Sequence, residues 1–298
     1  MNIIEKAVVK YGYENALEQQ GSSVEPTVVS ASRLPDNMFR ESTADDINVV
    51  ARTQDRNWPV QERLRSIGML VPGGLDTKFL DEYRRIKRPI LANAFGKNAD
   101  LVDRGNLILV TSAVPNEGKT YTAVNLALAI AQERDHTVLL IDCDSVKRDA
   151  SRMVGLEGMT GFTDVLERND LDLSDVMWRT DIPDLVLIPA GRPYDNATEL
   201  FASNKMSDLA DELLSRYQDR VIIFDSPPLL ATPQTAVLAN LVGQVTVVVA
   251  AGQTSVAMVN DSLDLIPRDK AIGLVLNKVT GVLRRQPSRY YGYHGYGG

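Results

Sequence analysis

The chain has 298 residues, of which 44% are hydrophobic and 24% charged, with a net charge of −7. This length accommodates one large α/β domain plus further segments, and the acidic balance argues against nucleic acid as the main partner. A single cysteine, Cys143, excludes an internal disulfide, and with only two histidines little is left for a structural zinc site. Residues 1–20 predict a short helix, because Ile3, Ile4, Ala7, Val8 and Tyr11 recur at helical spacing between Glu5, Lys6 and Lys10. Such a helix either docks on its own domain or serves a partner. Residues 21–75 are rich in Ser, Pro, Gly, Asp and Arg without sustained periodicity, and read as a weakly structured linker. The pattern turns helical over residues 76–95, where Pro89 is expected to bend or break the helix or to separate two helices.

A core domain, expected to end near residue 283, has its first strand at NLILVTS, a continuous apolar run of the kind a buried parallel strand needs. A helix (KTYTAVNLALAIAQER), strands TVLLID and DLVLIPA, a helical stretch over about 198–217 and strand VIIFDS follow. Helix PQTAVLANLV, strand QVTVVVA, helix SVAMVNDSLDLI and strand AIGLVLNKV complete the series. This alternation predicts an α/β fold of the P-loop NTPase type, a mostly parallel sheet covered by helices on both faces.

The first strand runs into AVPNEGKT, residues 113–120, which fits G-x-x-x-x-G-K-[ST] except that Ala113 replaces the first glycine. Such a loop curls backbone N–H groups around phosphate oxygens. Asn116, Glu117, Gly118, Lys119, Thr120 and Tyr121 are therefore candidate ATP-binding residues. Gly118 permits close approach, Lys119 reaches the β/γ-phosphates and Thr120 offers a hydroxyl to Mg2+. The next strand ends in Asp142-Cys143-Asp144, and another ends in Asp225 after an apolar run, the pattern that holds a Mg2+ hydration shell. Asn277 also closes a strand. Its amide could pair with adenine, or it could be a turn residue. Four of the ten tyrosines, Tyr290, Tyr291, Tyr293 and Tyr296, fall in the Gly-rich last nine residues, within a tail (284–298) expected to be flexible. Beside an ATP site they read as phosphoacceptors rather than as a sticky low-complexity tail.

From about residue 76 to its end the chain resembles the bacterial tyrosine autokinases (BY-kinases) of exopolysaccharide synthesis and export. The resemblance rests on TSAVPNEGKT, VLLIDCD, VIIFDSPP, IPAGRPYDNATELFAS and the tyrosine tail. The opening MNIIEKAV resembles the subgroup found in exosortase (PEP-CTERM) loci. The family's E-x-x-R-x-x-R oligomerisation motif is matched by Glu82, Arg85 and Arg88, whose spacing places them on one helical face. The family often carries an Arg-Pro pair after D-x-D. This chain has DCDSVKRD, so Lys147, Arg148 or neither fills the basic role.

The resemblance implies that Lys119 neutralises the phosphates and that Thr120, Asp142 and Asp225 hold Mg2+. It also implies that Asp142 or Asp144 accepts the tyrosine proton. It further implies a ring-shaped homo-oligomer, a membrane polysaccharide co-polymerase or chain-length determinant as activator, and a phosphotyrosine phosphatase acting in opposition. No run reaches the roughly 18–20 apolar residues that span a bilayer, and the N-terminus does not fit a secretory signal. The expectation is a cytoplasmic protein brought to the membrane by a partner. Two rivals share the fold. A ParA-like switch ATPase usually has a second lysine early in the loop, which residues 113–117 lack, and a non-catalytic nucleotide-binding regulator would not need the intact acids.

Overall fold

The computed structural model describes residues 29–30, 57–74, 77–194, 196–217 and 219–279. The expected N-terminal helix, most of the expected linker and the four tail tyrosines lie outside the described residues. The strands are β1 (Val29–Ser30), β2 (Asn57–Trp58), β3 (Leu107–Ser112), β4 (Thr137–Asp142), β5 (Trp178–Thr180), β6 (Leu185–Ile188), β7 (Arg220–Asp225), β8 (Gln244–Ala250) and β9 (Ala271–Asn277). They form one sheet in the order β1-β9-β8-β3-β7-β4-β6-β5-β2. Within it only β5 and β6 pair antiparallel. The two outermost strands are dipeptides, so the working sheet has seven strands, with β7 central and β3 beside it.

Continuous apolar strands are what a sheet covered on both faces requires. Ile108 and Val110 of β3 enter one core, while Leu107 and Leu109 enter the other. In β4 the same alternation sends Val138 and Leu140 one way and Leu139 and Ile141 the other.

The first face is covered by α1 (Gln61–Ser66), α2 (Thr77–Phe95), α3 (Lys119–Ile130) and α4 (Asp149–Val154). The second carries α5 (Phe162–Glu167), α6 (Leu173–Val176), α7 (Ala197–Phe201), α8 (Asn204–Arg216), α9 (Pro233–Leu241) and α10 (Val256–Leu263). The single helix expected over 198–217 is two helices. Ser203 adopts an extended backbone and its side chain accepts a bond from Met206 N, which ends α7 and caps α8.

Two expectations are corrected in the region before β3. Residues 57–74, read as linker, are packed: Val60, Leu64, Met69, Leu70 and Val71 are all buried. These apolar residues are too scattered to make a period, and contacts distant in sequence hold them. Asn125 of α3 accepts a bond from Leu70 N at 2.8 Å, and Trp58 donates to Val154 O at 2.9 Å. Nor does Pro89 break its helix, because α2 is one unit of 19 residues with Pro89 inside it. The proline is exposed, so the backbone acceptor it leaves unmatched can be met by water, while Leu80, Tyr83, Ile86 and Ile90 bury the other side. Buried Lys87 fixes α2 to the end of α3, donating to Ala129 O and pairing with Glu133 at 2.7 Å. Among the described residues no helix is long and apolar enough to cross a membrane.

Candidate nucleotide and phosphoryl-transfer site

Strand register sets the acids abreast. Val110 of β3 lies opposite Asp225 of β7, and Asp225 lies opposite Asp142 of β4. All three strands end at the same edge, where open α/β sheets bind ligands. The phosphate loop leaves β3 here and runs into α3. Asn116 (φ 69°) and Gly118 (φ 96°) are both left-handed, so the loop curls back on itself. A Cβ on Gly118 would come within 2.1 Å of Asn277 Nδ2, which restricts the position to glycine on two counts. Among the described residues, no hydrogen bond takes up the N–H groups of Asn116 through Thr120. Such free donors at a helix N-terminus make an anion cradle.

Around this cradle the candidate residues divide. Lys119, buried, lies 3.0 Å from Asp144 Oδ2 and 3.9 Å from Asp225 Oδ1. Burial alone would lower its pKa, but the carboxylates of Asp225 and Asp144 outweigh it and raise the value, so the ammonium stays charged. Asp225 is fully buried and neither of its oxygens accepts a hydrogen bond. Burial pushes its pKa up to about 7 against the pull of Lys119. Asp142 is committed to its own loop. One oxygen accepts Asp144 N at 3.1 Å, and the other accepts Ser151 N at 2.8 Å and Ser151 Oγ at 2.7 Å. Its pKa rises to about 6, chiefly by burial. Asp144 accepts Lys147 N at 2.9 Å with the oxygen that Lys119 leaves free.

Glu117 and Tyr121 play parts that the loop motif did not foretell. The Glu117 side chain turns away from the cradle and pins the loop, accepting bonds from Val114 N (2.7 Å), Ala250 N (3.0 Å) and the Thr254 hydroxyl. Tyr121 points its hydroxyl at Gly68 O (3.2 Å), so any bond it makes to a phosphate must come from its backbone. At the β9 end, Asn277 Nδ2 donates to Glu117 O at 2.7 Å, and Lys278 Nζ reaches Asn116 O at 2.5 Å. The Asn277 amide is thus partly spent on the loop it neighbours, with Oδ1 left for a base. Lys147, not Arg148, reaches the loop, with Nζ 3.4 Å from Asn116 Oδ1. Arg148 sits in the left-handed region as the cap of α4. Glu82, Arg85 and Arg88 are away from the cradle on α2, the two arginines exposed and Glu82 half-buried. Ser151 and Lys278 went unnoticed in the sequence. Lys278 had the signal of adjoining Asn277, whereas Ser151 had none.

The donor set suits a magnesium nucleotide. Mg2+ prefers one or two protein oxygens plus water and phosphate, and it needs no cage of carboxylates. The Thr120 hydroxyl and the unsatisfied Asp225 carboxylate supply such oxygens. Among the described residues, no three His, Cys, Asp or Glu side chains form a dedicated metal cluster.

A family model described as an AAA domain matches residues 108–267. The tyrosine-protein kinase CpsD of Streptococcus agalactiae is 30% identical over 63% of the chain and 81% of its own length. The tyrosine-protein kinase YwqD of Bacillus subtilis is 29% identical over 77% of the chain and 90% of its own. The crystal structure of the VpsO kinase domain is 32% identical, with a TM-score of 0.57 over 66% of the chain and 94% of that domain. The chain belongs to the bacterial tyrosine-protein kinase family. It spans only 26% of another relative, the tyrosine-protein kinase wzc of Salmonella typhimurium.

Proposed function

We propose that the protein is an ATP-dependent protein-tyrosine autokinase that phosphorylates Tyr290, Tyr291, Tyr293 and Tyr296 in trans, within a homo-oligomeric ring. The observation that carries this reading is the pairing of charged Lys119 with Asp144 beside the unsatisfied Asp225, at the mouth of the phosphate loop. Phosphoryl transfer asks mainly for positioning and charge neutralisation, and this set supplies both.

In the proposed mechanism the N–H groups of residues 116–120 hold the β- and γ-phosphates, and Lys119 leaves Asp144 for them. Thr120 and Asp225 would hold Mg2+, which when bound would neutralise charge on the phosphates. Asp142 is a weaker metal ligand than Asp225, because three donors already occupy it. Freed of Lys119, Asp144 accepts the phenol proton as the tyrosine oxygen bonds to the γ-phosphorus and the bond to ADP breaks. Lys147 takes the basic role beside the loop, and Asn277 Oδ1 accepts from the adenine amino group. Glu82, Arg85 and Arg88 make the contact between subunits. Kinship with capsule kinases supports a role in exopolysaccharide synthesis or export. There a membrane co-polymerase or chain-length determinant would activate and recruit the protein, and a phosphotyrosine phosphatase would reset it.

The test is intact-mass and phosphopeptide mass spectrometry after incubation with Mg-ATP, comparing wild type with Lys119→Met. Phosphate on the four tail tyrosines is expected in wild type alone. Hydrolysis of ATP with no phosphotyrosine, even with the cytoplasmic part of a membrane activator added, would overturn the reading in favour of a switch ATPase.

A further inference from the structure

Six large apolar side chains stand exposed among the described residues, and two of them border the site. Val146 is 77% exposed and Leu230 is 40% exposed. Neither sits on a loose loop. Asp144 Oδ1 accepts Lys147 N at 2.9 Å, and this turn over 144–147 buries Ser145 and presents Val146 at its outer corner. Leu229 N and Leu230 N donate to Ser112 O (2.8 Å) and Ala113 O (3.1 Å), which fixes the segment after β7 to the root of the phosphate loop. Two aliphatic side chains exposed on hydrogen-bonded backbone beside a site gain free energy when a ligand group covers them.

The sheet order says what does. Along this edge lie β9, β8, β3, β7 and β4. Asn277 stands at the β9 side of the phosphate loop, while Asp225 and Asp144 stand at its β7 and β4 side. A nucleotide laid across the loop with its base toward Asn277 directs its γ-phosphate toward the loops after β7 and β4. Leu230 and Val146 belong to those two loops. We propose that they form the acceptor rim, an apolar pair that grips the ring of the incoming tyrosine and aims its hydroxyl at the γ-phosphate. This deepens the kinase reading and rests on it. The rim accounts for selection by side-chain type. A phenol buries its ring against two aliphatic groups while its oxygen reaches past them, whereas a serine hydroxyl, with no ring to bury, gains nothing from the rim.

The experiment uses the full chain, Mg-ATP and a synthetic peptide of residues 284–298 as acceptor. Val146→Ser, Leu230→Ser and the double variant are compared with wild type in peptide phosphorylation and in ATP consumption. The rim predicts that the double variant raises KM for the peptide about tenfold, with KM for ATP changed less than twofold, and that Val146→Ile retains wild-type behaviour. An unchanged peptide KM in the double variant would overturn the rim while leaving the kinase standing. Loss of ATP binding in both the double variant and the milder Val146→Ile, Leu230→Met pair would also overturn it, by assigning the residues to the nucleotide. Absence of any peptide phosphorylation by wild type, even with the cytoplasmic part of a membrane activator added, would instead sink the kinase reading beneath it.

Discussion

Asp225 carries the largest unrelieved cost in the site. Its carboxylate is fully buried, accepts no hydrogen bond and has Lys119 only at 3.9 Å. A carboxyl whose folded pKa is raised keeps its proton where the unfolded chain has already lost it. Its stabilising contribution is therefore complete below the unfolded value near 4 and lost as pH climbs to the folded value. For Asp225 that window reaches about 7, and for Asp142 about 6. Without Mg2+ and nucleotide, the protein should lose stability as pH rises from about 4 to about 7 and stay at the lower value through pH 8. Asp225→Asn removes most of this slope. At pH 8 the variant should be the more stable by at least about 1 kcal/mol, a rise of about 2–4 °C in melting temperature. Thermal melts of both proteins across this pH range are the check, and a variant less stable than wild type at pH 8 would contradict the assignment. Function explains why the acid is kept despite its cost: a satisfied carboxylate would have nothing to offer a metal.

At the scale of elements, α2 is not alone in covering α3, since Leu70 N also donates to Asn125 of that helix. The 57–74 segment shares its core, and there Leu64 is fully buried on α1, the helix that packs against α4. Leu64→Ala should cost about 2–5 kcal/mol in urea unfolding, the range for a buried leucine, whereas a linker residue would cost under about 0.5 kcal/mol. That contrast marks the boundary of what the sequence could tell. Strands such as β3 and β8 announce themselves because burial on both faces demands an unbroken apolar run. The phosphate loop does so because its chemistry is local, within eight consecutive residues. Leu64, Leu70 and Trp58 have their reasons elsewhere in the chain, on α3 and α4, and no window of neighbouring residues contains them. The same holds within the site. Lys119 was visible from the phosphate-loop motif, and Asp142, Asp144 and Asp225 from their positions at strand ends. That Glu117 pins the loop to Ala250 and Thr254, and that Ser151 occupies Asp142, depends on partners up to 137 positions away.

At the scale of the whole molecule, charge is unevenly shared. The chain has a net charge of −7, yet residues 284–298 contain Arg284, Arg285 and Arg289 and no acid. The candidate site they would visit on a neighbouring subunit is lined by Asp142, Asp144 and Asp225. In the proposed ring an unmodified tail would be attracted to the site, and that attraction between subunits would favour closure. Each phosphate adds about −1.5 to −2 charges, so four would bring about −6 to −8 and reverse the sign of the tail. Repulsion from the acids would then expel it and weaken the ring. The effect should be greatest at low salt, because exposed charges more than about 8 Å apart are largely screened at physiological ionic strength. Multi-angle light scattering should give a higher mass for the unphosphorylated chain than for the chain incubated with Mg-ATP. A variant with Phe at positions 290, 291, 293 and 296 should keep the higher mass after the same incubation. Equal masses before and after phosphorylation at low salt would mean that tail charge does not govern assembly, and that the contact through Arg85 and Arg88 holds the ring irrespective of the state of the tyrosines.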